Sequence, residues 1–293
     1  MTIELPGASL EGASPYQIYG PALISFSGGR TSGFMLKQIL DAHGGALPEN
    51  VRAVFANTGK EMPETLDFVR ECGDQWRVPI AWVEYRIADD GRSTFDVVNH
   101  NSASRNGEPY KALIDKRGYL PNPVTRFCTI ELKIRVMRDF ARSLGWDHWT
   151  NIIGLRADEP ARVAKTRARS GVERWENSVP LADAGVSSSD VSKFWARQPF
   201  DLRLPNINGS TPLGNCDLCF LKGAATIAGI IRERPDLARW WIEAEAKARA
   251  SKPSGAVFRS DRPKYAKILE LSQIQGDFFA GADNSTQPCM CHD

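Results

Sequence analysis

A chain of 293 residues can bury a full hydrophobic core in one large domain or two small ones, so disulfide staples are not required. Apolar residues make up 42% and charged residues 25%, which excludes global disorder, a collagen-like fibre and a coiled-coil rod. The 37 Lys and Arg against 35 Asp and Glu leave a net charge of +2, so any nucleic-acid contact must come from local basic stretches.

No apolar run approaches the roughly eighteen residues of a membrane span. The start, MTIELPGASLEGASPY, lacks a basic region and a hydrophobic region and is not a secretory signal. The expected location is the reducing cytoplasm, away from membranes. There the six cysteines read as metal ligands or reactive thiols and not as disulfides.

Residues 1–20 carry little apolar periodicity and read as an extended leader. Ala22–Phe26 is a short apolar run, the pattern of a buried strand. A Gly-rich turn follows, then a helix with Met35, Leu36, Ile39 and Leu40 on one face. Val51–Ala56 is a second strand, and Pro63 opens the next helix, which carries Leu66, Val69 and Cys72. Pro79–Tyr85 is a third strand. Arg86–Thr125, rich in polar residues, Gly and Pro, reads as a long loop. From Cys128 to Leu144, Ile130, Ile134, Met137, Ala141 and Leu144 form one helical stripe. Trp149–Leu155 is a fourth strand and Lys165–Asn215 a second long loop. Helices are expected over Ala224–Arg234, Pro235–Ala250 and Lys264–Gln273. Alternating strands and helices predict an α/β fold, a mainly parallel sheet with helices on both faces and a helical C-terminal part. The expected division is a leader over 1–20, a nucleotide-binding domain over 21–235, and a helical extension with a Cys-containing tail over 236–293, packed on that domain.

Ser27-Gly28-Gly29-Arg30-Thr31-Ser32 lies between the first strand and its helix. Ligands of α/β sheets bind beyond the carboxyl ends of strands. Adjacent glycines let backbone N–H groups converge on an anion, the helix N-terminus adds its positive dipole end, and Ser27 and Ser32 add hydroxyls. The spacing is neither a Walker loop nor a dinucleotide fingerprint. Asn57-Thr58-Gly59 and the helix opening Glu61-Met62-Pro63-Glu64-Thr65 stand at the neighbouring strand end.

SFSGGRTS, NTGKEMPETLDFV, RFCTIELKIRVMRDF, IGLRADEPAR and NCDLCFLKG, in this order over residues 21–235, resemble the PP-loop ATP pyrophosphatases. Within them the chain is similar to the phosphoadenosine-phosphosulfate (PAPS) reductase-like branch that carries iron–sulfur clusters. The resemblance implies an adenine nucleotide α-hydrolase-like fold. It implies nucleotide binding by Ser25, Ser27, Gly28, Gly29, Arg30, Thr31, Ser32, Asn57, Thr58, Gly59 and Arg162, and catalytic roles for Lys133, Arg156 and Cys291. The function it implies is cleavage of ATP, bound with Mg²⁺, to AMP and pyrophosphate for cluster-assisted sulfur transfer. The alternative is a PAPS or adenosine phosphosulfate reductase that releases sulfite, and a third reading is a non-catalytic nucleotide-binding subunit. Adenine nucleotide is the expected ligand; a nucleic acid or a sulfur-donor protein, and further copies or subunits of a complex, are the expected partners. Arg156–Arg174 carries six basic residues against three acids, of which Lys165, Arg167 and Arg169 have no counterpart in the resemblance and could equally meet a nucleic-acid backbone.

Cys72, on the apolar stripe of its helix, reads as a small core residue. Cys216-x-x-Cys219 can turn two thiolates towards one metal, and spacing alone does not separate zinc from an iron–sulfur cluster. The related cluster enzymes carry a Cys-Cys pair where this chain has Phe127-Cys128, so one ligand is missing. The resemblance therefore implies a [4Fe–4S] cluster on Cys128, Cys216, Cys219 and Cys289, with Cys291 left as the thiol. In the competing arrangement both tail cysteines join Cys216 and Cys219, and Cys128 is released.

Overall fold

The computed structural model describes residues 14–170, 173–207, 209–251 and 256–274. Six strands, β1 (Ala22–Ser25), β2 (Val51–Asn57), β3 (Ile80–Ile87), β4 (Ser93–Val98), β5 (Trp149–Ile153) and β6 (Trp175–Ser178), form one sheet in the order β4-β3-β2-β1-β5-β6. All neighbours are parallel except β3 and β4. The central strands are apolar on both faces because both faces are covered. Ala22, Ile24, Phe26, Ala53 and Phe55 point to one side, under α1 (Arg30–Ala42), α2 (Pro63–Trp76) and α8 (Ser188–Trp195). Leu23, Val54, Ala56, Val83 and Tyr85 point to the other, under α3 (Glu108–Arg117), a helix over 127–143, α9 (Ala224–Glu233), α10 (Ala238–Ser251) and α11 (Tyr265–Ile274). The predicted α/β class is thus the observed one. No helix among the described residues is long and apolar enough to cross a membrane.

The two stretches read as loops contain regular structure. β4 pairs with β3 through a turn at Asp89-Asp90-Gly91, with Gly91 at φ 79°. It is an edge strand whose residues are exposed or half-buried, so its sequence carries no apolar signal. α3 is framed by Gly107 at φ 77° and Gly118 at φ 71° and buries Tyr110, Leu113 and Ile114. In the second stretch, α6 (Pro160–Arg167), β6 and α7 (Pro180–Asp183) precede α8, which opens on a reciprocal cap between Ser187 and Asp190.

The helix over 127–143 consists of α4 (Phe127–Thr129), a π turn (Ile130–Arg135) and α5 (Val136–Ser143). The helix is widened by the π turn, and the predicted stripe is the buried one only in part: Met137 and Ala141 are buried and Ile134 half-buried, but its two ends are not. Ile130 and Leu144 are exposed, while Phe127, Leu132, Val136, Met137, Phe140 and Ala141 are buried.

Candidate functional site: a phosphate cleft beside three thiols

The turn after β1 is built so that only glycine fits its second position. Gly28 has φ 77°, and a Cβ there would lie 2.7 Å from Thr65 Cγ2 and 3.2 Å from Phe55 Cε2. Gly29 is less constrained, its nearest neighbour being Ser27 Oγ at 3.4 Å. Ser32 staples the loop from beneath: its Oγ accepts from Ser27 N at 3.2 Å and donates to Gly29 O at 3.0 Å. No side chain among the described residues caps α1, so its first-turn N–H groups are available to an anion.

Those groups face a cleft of about 250 Å³ walled by residues 27–31, Thr65, Arg156, Glu159, Arg162 and Gly214-Asn215. Arg156 donates to Thr31 Oγ1 at 3.1 Å and to Asp158 at 2.8 Å, and its Nη1 is 3.5 Å from Glu159. Arg162 pairs with the same Glu159. Two guanidinium groups therefore meet over one carboxylate at the mouth of an uncapped helix, an arrangement that favours a polyanion. Arg30 also lines the cleft but spends its donors on Asp201 (2.7 and 2.6 Å), Leu204 O (2.9 Å) and Thr211 (3.2 Å). It thereby ties Asp201, Leu204 and Thr211 to the loop that lines the cleft. Burial raises the Asp201 pKa, but Arg30 and the N–H groups of Leu202 and Arg203 outweigh it and hold the carboxyl below its ordinary value.

Sequence reasoning missed Thr65 as a site residue. It is 2% exposed, lines the cleft, and its hydroxyl has no hydrogen-bond partner among the described residues. Such a hydroxyl is costly unless a ligand uses it. The only sequence signal was its place three residues into a helix that starts at the sheet's ligand rim.

The end of β2 is closed. Asn57 donates to Glu84 at 2.6 Å and to Ser104 O at 2.9 Å and accepts from Gly59 N at 3.1 Å. Gly59 O accepts from Gly107 N at 2.8 Å, and a Cβ on Gly59 would lie 3.1 Å from the Gly107 backbone. Thr58 is bound to Glu61 and lies 3.5 Å from Cys216 Sγ. Asn57, Thr58 and Gly59 are buried and do not line the cleft. Ser25 is likewise turned into the fold, donating to Asn151 Oδ1 at 2.8 Å.

Behind the cleft wall stand three cysteines. Cys216 follows Asn215, which has φ 58°, and Cys219 N donates to Cys216 O at 3.2 Å. The turn is held by a buried ion pair, Lys60 to Asp217 at 2.8 Å, and by Trp241 Nε1 to Asp217 at 2.8 Å. Lys222 donates to Cys216 O and Asp217 O at 2.6 Å, and the Tyr265 hydroxyl to Leu218 O at 2.6 Å. Burial pushes the Tyr110 phenol well above its usual pKa, and Cys128, Cys216 and Cys219, with a hydrogen bond to Cys128, add to the rise. One tyrosine of α3 thus lies within electrostatic reach of all three thiols. Burial, Glu61 and Cys219 raise the Cys216 thiol as well, against the pull of Lys133 and Thr58. Lys133 Nζ is 4.0 Å from Glu61 Oε1, so it belongs to the cysteine side and not to the cleft wall. None of the four described cysteines is in a disulfide, and Cys72 is a core residue whose thiol burial and Glu71 push well up. Among the described residues no three Cys, His, Asp or Glu side chains are placed to hold a single metal ion. Cys289 and Cys291 lie outside the described residues.

No protein-family model matches the chain. The uncharacterized nin region protein ORF290 of Escherichia phage lambda is 29% identical over 227 residues, which cover 75% of this chain and 73% of the phage protein. Among solved structures, the phosphoadenylyl-sulfate (PAPS) reductase of Candida auris, crystallised as a phosphate complex, is similar over 64% of this chain and 81% of that one. Its sequence identity is 15% and the TM-score 0.37.

Proposed function

We propose that this chain is a PP-loop enzyme that cleaves an adenine nucleotide at its α-phosphorus and uses the activated product for sulfur transfer. The observation that carries this reading is one turn with two sides. Gly214 and Asn215 wall the phosphate cleft, and the next residue is Cys216, which shares a turn with Cys219 and, like Cys219 and Cys128, lies within electrostatic reach of Tyr110. In this reading the backbone N–H groups at the start of α1, with Arg156 and Arg162, bind the β- and γ-phosphates of ATP, whose Mg²⁺ arrives with it. An acceptor oxygen attacks the α-phosphorus, the bond to the β-phosphate oxygen breaks, and pyrophosphate leaves carrying the charge those cations stabilise. Glu159 gives up its two arginines to the incoming phosphates. A sulfur nucleophile then displaces AMP from the adenylated acceptor.

The donor chemistry of the cysteine pocket suits an iron–sulfur group. Cys216 and Cys219 are buried and Cys128 half-buried, none of them is in a disulfide, and a cation would stabilise the Cys216 thiolate against its burial. Cys128, Cys216 and Cys219 would hold a [4Fe–4S] cluster, with Cys289 as the fourth ligand, and the cluster when bound supplies iron that carries sulfur. Lys133 and Thr58 place positive charge and a hydroxyl beside Cys216.

Anaerobically purified protein incubated in parallel with ATP labelled at the α-phosphorus and with PAPS tests the proposal. AMP and pyrophosphate from ATP are expected. Sulfite from PAPS without ATP cleavage would replace this reading with the reductase.

A further inference from the structure

A second pocket, of about 110 Å³, lies over β5 and β6 on the sheet face that carries the 127–143 helix. Its floor is Ile134, Ile153, Leu155 and Trp175, and Arg162 is common to its wall and the phosphate cleft. Trp175 stacks one face on Trp149, its cross-strand partner, with centroids 5.3 Å apart.

The polar groups of this pocket are of two kinds. Along its base, Ser25 donates to Asn151 at 2.8 Å, Asn151 Nδ2 to Asn177 Oδ1 at 3.4 Å, and Asn177 Nδ2 to Thr166 O at 3.3 Å. The last two bonds are long, so the amides can exchange them for the edge of a planar ring at small cost. At the rim stand Lys165 and Arg169, four positions apart, with Glu173. Arg162 and Arg167 are each paired with a carboxylate, Glu159 and Asp183. Lys165 and Arg169 are exposed and make no ion pair among the described residues.

We infer that this pocket seats a nucleobase, with the phosphate of that nucleotide held by Lys165 and Arg169. An apolar floor with an aromatic ring accepts a base of any identity, the Asn151–Asn177 amides meet its edge, and the two cations meet its phosphate. The volume suits one ring system and not a peptide. The base comes either from the nucleotide whose phosphates fill the cleft or from an acceptor strand presented beside it, and Arg162 gives both a common border. The inference stands on residues outside the cleft, apart from Arg162, and extends the nucleotide reading.

Titrations with three probes test it: inorganic pyrophosphate, AMP, and a fluorescein-labelled single-stranded oligonucleotide. The exposed double variant Lys165→Glu/Arg169→Glu is expected to lose about ten-fold in affinity for AMP or for the oligonucleotide, the scale of one charge-assisted contact, and none for pyrophosphate. Trp175→Leu is expected to lose affinity for the same probe. A loss confined to AMP assigns the base to the cleft's own nucleotide; a loss confined to the oligonucleotide assigns it to an acceptor strand. The inference is overturned if the wild type binds neither base-containing probe. It is also overturned if both variants bind as the wild type does, or if the distant reversal Arg232→Glu/Arg239→Glu weakens binding as much. Failure of pyrophosphate to bind the wild type would instead count against the cleft.

Discussion

The carboxyl ends of β1 and β2 are adjacent on the same rim and carry equally polar, Gly-containing turns, yet they face opposite ways. At β1 the helix start has no side-chain cap among the described residues, and the turn opens on a cleft with Arg156, Arg162 and a Thr65 hydroxyl that has no partner among those residues. At β2 every polar group of Asn57 and Thr58 named above is spent inside the protein, on Glu84, Ser104, Gly59 and Glu61. The difference teaches that a polar strand end becomes a binding site only when neighbouring segments leave its donors unused. Here the 104–109 segment seals one end, and residues from 202–206 and 209–215 wall the other.

The sharpest way to break this contrast is at Gly28. Gly28→Ala combines a left-handed backbone with a Cβ pressed against Thr65, and is expected to cost about 2–5 kcal/mol of stability and abolish pyrophosphate binding. Gly29→Ala has room and should be mild on both counts. Denaturant unfolding with parallel binding titrations separates the two glycines; equal effects would refute the loop geometry.

Arg156→Ala should weaken pyrophosphate and ATP binding by about 1.5–3 kcal/mol while the melting transition stays cooperative. A collapsed transition would mean that its bonds to Thr31 and Asp158 are structural and not preparatory. Asn57→Ala should do the reverse, lowering stability by about 1–3 kcal/mol because Glu84 loses a buried donor, with phosphate affinity unchanged. A loss of affinity without a loss of stability would place Asn57 in the ligand site after all. The smallest effect is expected from Thr65→Val, which keeps the shape and removes the hydroxyl. Pyrophosphate affinity should fall by about 1 kcal/mol and stability should hold or rise, because no internal hydrogen bond is lost. Calorimetry on both variants reads the two quantities together.

Much of this was legible in the sequence where burial wrote it there. The central strands are apolar on both faces, and the Gly28–Ser32 turn announced itself by its residues. β4, α3 and β6 went unread because they lie at sheet edges or carry polar faces, so their positions depend on pairing partners and not on their own periodicity. The same holds within the site. Arg30 belongs to the ligand loop by sequence, but its partner Asp201 is 171 positions away. Nothing local to Asn57 says that residue 104 will close over it, and the stripe expected over the 127–143 helix is buried at Met137 and Ala141 but not at its ends, Ile130 and Leu144.

Amide hydrogen exchange with and without pyrophosphate tests the central claim most directly, because it reports both strand ends in one experiment. The account predicts slowed exchange over residues 28–32 and no change over residues 57–61. Protection over 57–61 with none over 28–32 would contradict it.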